Sequence, residues 1–199
     1  MIPDILKPFT ELLTCPRKEA LLYYLYMMCD GEVSYSEEIT FNTICAELRI
    51  EDQEIEEIIS ECEGFVQGSG KIIEIIKREE LETSVGRKWP GMMNATHCAR
   101  IIWNLVNLGY SDTQYSENEK EIVSYLVDTW GVDRDVFQEM IDTSETILAL
   151  IKQKEWVFER FANEKSERDD RVKKIDLEID KMVEDIKITI SELNYQKGE

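Results

Sequence analysis

Two short acidic stretches, CDGEVSYSEE at 29–38 and SDTQYSENEK at 111–120, hold the residues best suited to chemistry. Each carries the pattern D-x3-S-x2-E: Asp30, Ser34 and Glu37 in the first, Asp112, Ser116 and Glu119 in the second. Four carboxylates brought to one place repel, and a hard cation with oxygen preference relieves that repulsion. The metal-ligand candidates are therefore Asp30, Glu37, Asp112 and Glu119, with calcium or magnesium as the fitting divalent cation. A calcium loop of EF-hand type is excluded by its own spacing. Counted from Asp30, its Gly and Glu positions fall on Tyr35 and Phe41. A structural reading competes. S-x-x-E before an apolar-periodic run is a capping box, in which the Ser oxygen accepts from a first-turn N–H and the Glu reaches back to the cap N–H. An Asp at a helix end can likewise close an Asx turn. Glu32, Glu38 and Glu117 stand near helix starts, where the helix dipole alone favours acids, and are left outside the ligand set.

The elements that must position these residues read as helices throughout. Apolar residues recur three and four apart, and no alternating run of β-branched residues occurs. The spacing predicts helices at about 16–28, 36–48, 52–63, 70–82, 92–109, 117–130 and 133–143, then a long one over about 145–195. Pro3, Pro8, Pro16 and Pro90 all avoid helix interiors, and Pro16 suits a first turn. Gly86, Pro90 and Gly91 mark a loop over 83–94. A shift of 82 residues superposes the two acidic stretches and carries the apolar pattern with them: Leu21 on Trp103, Phe41 on Val123, Ile44 on Leu126, Leu48 on Trp130, Ile50 on Val132, Ile55 on Phe137, Ile58 on Met140 and Ile59 on Ile141. We read two copies of a helix, acidic loop, helix, helix unit. The fold class is all-α: a bundle of two such units over 1–145, followed by a long C-terminal helix over 146–199.

The DGEVSYSEE turn after an apolar helix, its second copy SDTQYSENE and the helical surroundings resemble the TerB-like domain, a family named for a tellurite-resistance protein. The resemblance covers roughly residues 15–150 and omits the C-terminal helix. The first copy fits the D-G-x-[VI]-S-x-x-E signature, whereas Thr113 stands in place of the Gly in the second. It implies a helical bundle of pseudo-twofold repeats that brings the acidic loops together, divalent-metal binding, and a role in stress responses without established catalysis. Carried onto this sequence, the implied ligands are again Asp30, Glu37, Asp112 and Glu119.

Charge and composition narrow the function classes. With 199 residues, the chain can bury a real core. Its net charge of −19 argues against a nucleic-acid partner, which needs a basic stripe to displace counterions. Divalent cations or a basic protein surface are the better partners. Residues 1–70 hold 15 acids against 4 bases, while the segment from Thr146 holds 13 against 11, so a cationic partner would dock on the first part. The acidic run at 51–63 is an amphipathic helix with Ile55, Ile58, Ile59 and Cys62 inward and a solvated Glu face, alternatively a docking face for that partner. Trp103 and Trp130 fall on apolar stripes and are expected in the core. No stretch reaches the roughly 18 uncharged residues of a membrane span, and no secretory pattern opens the chain, so a cytoplasmic location is expected. Cys15, Cys29, Cys45, Cys62 and Cys98 show no C-x-x-C pair and read as core thiols.

An enzyme is not expected. The single histidine, His97, lies in the apolar stretch ATHCARIIWNLV and reads as a core or boundary residue. No P-loop, dinucleotide fingerprint, H-E-x-x-H or G-x-S-x-G occurs. A carboxylate-metal hydrolase, the remaining enzymatic reading, would want His on E-x-x-H spacing, which is absent. The tail supports an assembly role: Val172, Ile175, Ile179, Met182, Ile186 and Leu193 fit a heptad seam, with Thr189 as its weak position. The seam extends back through Phe161 and Phe158 to Ile151, across the polar run NEKSERDDR at 163–171 in which Lys165 and Arg168 occupy it. This pattern favours self-association through residues 172–193, as a homodimer, over folding back onto the bundle. The sequence therefore reads as a metal-responsive interaction module. The alternative is a non-catalytic helical scaffold whose acidic loops are only capping turns.

Overall fold

The structure is a computed structural model that describes residues 16–67, 72–76, 95–112 and 115–193. These residues form helices and turns, with no strand among them. The expected loop at 83–94, most of the helix expected at 70–82, Cys15, Pro3, Pro8 and Pro90 lie outside the described residues. The chain divides into two compact units between Val132 and Asp133.

In the first unit, α1 (Pro16–Met27) opens on Pro16, whose fixed φ and missing N–H suit a first helical position. Ala20, Leu22, Tyr23, Leu25, Tyr26 and Met27 are all buried, so α1 is apolar on most of its circumference. A helix of that kind belongs at the centre, and α1 packs against α2 (Tyr35–Glu47), α3 (Asp52–Gln67), α4 (Ala95–Ser111) and α5 (Glu117–Trp130). Helix α4 is the second central element. It buries ten residues, among them Ile101, Ile102, Leu105, Val106 and Leu108, and packs on α1, α2 and α5. A further helical stretch at 72–76 buries Ile72, Ile73, Ile75 and Ile76. Helix α3 is amphipathic as expected: Ile58 and Cys62 are buried, while Glu56, Glu57, Glu61 and Glu63 face solvent. Arg17 of α1 pairs with Glu61 at 2.8 Å.

Cys45, Cys62 and Cys98 are buried thiols outside any disulfide, and burial pushes Cys45 and Cys62 up to about 12. Unreactive core thiols are what such surroundings produce. Trp103 is buried; Trp130, at the last turn of α5, is only partly so.

The second unit corrects the expectation of one long C-terminal helix. Helix α6 runs from Arg134 to Arg160, the chain turns at 161–163, and α7 runs from Lys165 to Glu192. Asp133 caps α6, its Oδ1 accepting from the N–H groups of Asp135 and Val136, so the helix starts well before the 145/146 boundary drawn from sequence. The two helices are antiparallel: Lys154 bonds Asp176 at 2.6 Å, and Thr189 lies 3.3 Å from Glu139. Leu150, Val157 and Ile175 form a core joined by Phe161, Val172, Ile179 and Met182. The 172–182 part of the heptad seam is thus packed inside one chain against Leu150, Val157 and Phe161, whereas Ile151 and Phe158, assigned to the seam from sequence, are exposed; this removes the sequence argument for a homodimer through 172–193. The break falls at 161–163, ahead of most of NEKSERDDR, whose residues from Lys165 onward form the polar start of α7, and the turn lets two apolar stripes bury each other. Arg168, placed in the seam by sequence, instead stacks over the Phe158 ring at 5.6 Å, and Arg171 over Phe161 at 4.5 Å.

Candidate functional site: the paired acidic turns

The first acidic turn is set by the end of α1. A single 3-10 turn, Met28–Asp30, continues the helix, and Gly31 then takes φ +102, with its N–H bonding the Met28 carbonyl. Only glycine adopts that backbone without strain, so Gly31 redirects the chain toward Ser34. Ser34 caps α2: its hydroxyl accepts from the Glu37 N–H at 3.2 Å, and Glu37 Oε2 accepts from the Ser34 N–H at 2.7 Å. The second turn repeats this. Ser116 caps α5 with its hydroxyl on the Glu119 N–H at 3.3 Å, and Glu119 Oε2 accepts from the Ser116 N–H at 2.6 Å. Both sequence-read capping boxes therefore form.

The two turns meet. The Asn118 side-chain amide of the second donates to the Cys29 carbonyl of the first at 3.1 Å, and the 3-10 turn packs on α5. Glu37 and Glu119 are buried, at 2% and 3% exposure, whereas Asp30 is exposed and Asp112 partly buried. The acids act on one another across the turns. Burial raises Glu37, its two bonds to Ser34 oppose the rise, and Asp112 and Asp30 add to it. Burial carries Glu119 up to about 7 against its own Ser116 bonds, with Asp30 and Glu37 pushing the same way. All four sequence-read acids thus belong to one electrostatic neighbourhood. They do not form a ready coordination shell: among the described residues, no three His, Cys, Asp or Glu side chains are set to hold a metal ion. One oxygen of Glu37 and one of Glu119 are turned back onto their own caps.

Two tyrosines that the sequence reading passed over, and the half-buried Cys29 that it read as a core thiol, wall this site. Tyr26 is fully buried, and its phenol is pushed well above the ordinary range by burial and then by Glu119. Tyr115 is raised by burial, then by Tyr110 and Glu119. Among the described residues the Tyr115 hydroxyl is buried without a hydrogen-bond partner, while the Tyr26 hydroxyl lies within the influence of the Glu119 carboxyl. Both rings press onto α4 at Gly109, where a Cβ would sit 2.5 Å from Tyr26 Oη and 2.6 Å from Tyr115 Cδ2. The Cys29 thiol, up to about 12 through burial and then Glu119, completes the wall. The legible signal was Gly109 within an otherwise apolar helix, a mark of close approach.

A second polar cluster also escaped the sequence. Glu19, an isolated acid in an apolar helix, is 2% exposed. Its Oε1 accepts from the Tyr23 hydroxyl at 2.6 Å and its Oε2 from Arg100 Nη2 at 2.7 Å. Asn104 donates to the Tyr23 oxygen at 3.0 Å. His97 is half-buried beside this network, its Nε2 3.6 Å from Glu19 Oε2 and its Nδ1 3.4 Å from Arg100 Nη2. The residue read as a boundary histidine thus faces a buried ion pair. Comparison with protein-family models, with characterised proteins and with solved structures finds no match to this chain.

Proposed function

We propose that the protein is an acidic, TerB-like interaction module that responds to a divalent cation held by Asp30, Glu37, Asp112 and Glu119. The observation that carries this reading is the burial of Glu119 among like charges, which lifts its carboxyl to about 7. A carboxylate in that position is ionised at a cost unless a cation or a proton compensates it. Calcium or magnesium would supply that compensation, and the flexible oxygen geometry of calcium suits two turns whose acids are near one another but not preset. Cation binding would draw the turns together and stabilise the unit that carries them. The acid-rich first part of the chain, with the Glu face of α3, then offers a surface to a basic protein, and a stress-response role rests on the family resemblance alone.

A second reading, a helical scaffold whose acidic loops are only caps, is favoured by the closure of both capping boxes. Calorimetric titration of the chelator-stripped full chain with calcium, magnesium, manganese and zinc separates the two. The module reading expects saturable binding at pH 8 that weakens at least tenfold in Asp30→Asn/Asp112→Asn. The scaffold reading expects no heat from any of the four metals and no effect of the double substitution on stability.

A further inference from the structure

The polar cluster between α1 and α4 lies outside the acidic turns and serves no part of the function above. Its geometry is that of one carboxylate facing an arginine and a histidine. Glu19 Oε2 holds Arg100 at 2.7 Å, a charge-assisted hydrogen bond, while His97 Nε2 stands 3.6 Å away, beyond bonding distance and buried with no hydrogen-bond partner among the described residues. The same Arg100 nitrogen faces His97 Nδ1 at 3.4 Å. Arg100 has no acceptor lone pair, so this contact suits only an imidazole whose Nδ1 is unprotonated and whose proton sits on Nε2. Adding a proton at Nδ1 turns the contact into N–H against N–H and gives Nε2–H a full positive charge next to Glu19.

We propose that Glu19, Arg100 and His97 form a proton-operated switch: protonation of His97 transfers the Glu19 carboxylate from Arg100 to the imidazolium and releases the guanidinium to solvent. The proton comes from water and adds to Nδ1; one Arg100–Glu19 bond breaks and one His97–Glu19 bond forms. Arg100 is already partly exposed, with 37% of its side chain accessible, so release needs a rotamer change and no unpacking of the helix. Glu19 of α1 and Arg100 of α4 are the charged groups that act on His97 among the described residues, the first raising and the second lowering its proton affinity. Burial is the largest influence and lowers it, so the imidazole is neutral in the Arg100-bound arrangement. Tyr23 of α1 stays bonded to the other Glu19 oxygen in both states, its phenol ionising far above neutrality. The carboxylate therefore never lacks a donor, and the switch changes which charge α4 presents at its surface.

The chain has one histidine, so an imidazole titration by NMR on the full-length protein reads His97 without ambiguity. The wild-type midpoint is expected below 6.5, and Arg100→Gln is expected to raise it about tenfold in proton affinity, because Glu19 then acts unopposed. The Arg100 Nε–H signal should step at the same midpoint in the wild type and lose that step in His97→Asn. An unchanged or lowered midpoint in Arg100→Gln, or an Arg100 step that persists in His97→Asn, overturns the switch. The His97→Asn arm decides the matter alone if Arg100→Gln does not fold.

Discussion

Glu19 and Glu119 are buried to nearly the same degree, yet their surroundings are opposite. Glu19 is met by an arginine, a tyrosine hydroxyl and a histidine, whereas Glu119 meets its own helix cap and then two more acids, Asp30 and Glu37. The contrast teaches what burial of a carboxylate demands. Where a fixed cation stands opposite, the charge is part of the packing. Where acids stand opposite, the charge is held at a cost that protonation relieves.

Breaking the first arrangement should have the largest effect. Arg100→Met leaves Glu19 buried without its cation and is expected to lower stability by about 3 kcal/mol at pH 8, measured by urea unfolding. The loss should shrink at pH 5.5, where His97 can take the place of Arg100. The second arrangement should respond in the opposite direction. Glu119→Gln keeps the cap, since the amide oxygen still accepts from the Ser116 N–H, and removes the charge. A carboxyl raised in the folded state to about 7 binds its proton more tightly there than in the unfolded chain. Its stabilising contribution is full below the ordinary carboxyl range near 4.5 and is lost as pH rises through 7. In a chelating buffer, Glu119→Gln should therefore gain about 2 to 3 kcal/mol over wild type at pH 8 and nothing at pH 4. Wild-type and variant curves that run parallel from pH 4 to 8 would refute this.

Two smaller effects sharpen the comparison at the acidic turns. Gly109→Ala drives a methyl into Tyr26 and Tyr115, and overpacking of such a wall is expected to lower stability by about 2 kcal/mol in thermal unfolding. Glu19 does not touch Gly109, so the His97 titration should stay as in wild type. Ser34→Ala and Ser116→Ala each remove one cap oxygen and should lower stability by about 1 kcal/mol. A loss confined to one of the two would mean that the turns, alike in bonding, are unequal in energy.

Local rules made the helices of the first unit readable. Pro16 begins α1, S-x-x-E begins α2 and α5, and three-and-four spacing fills α3 and α4. The same rules failed at 161–163, because a heptad seam looks alike whether its partner is another chain or an earlier turn of its own. The four acids were legible as a set, since their types and spacing repeat. The tyrosine wall and the Glu19, Arg100 and His97 cluster were not, since each joins residues some 80 positions apart that share no motif.

By itself, then, the sequence determined the all-helical class, the capped turns and the identity of the acids, because propensity, capping and periodicity act within a few residues. Only the tertiary structure decided which charges face one another and which apolar stripes close on themselves. Coulomb interaction and burial depend on distance through space, and the chain sets that distance only when it folds.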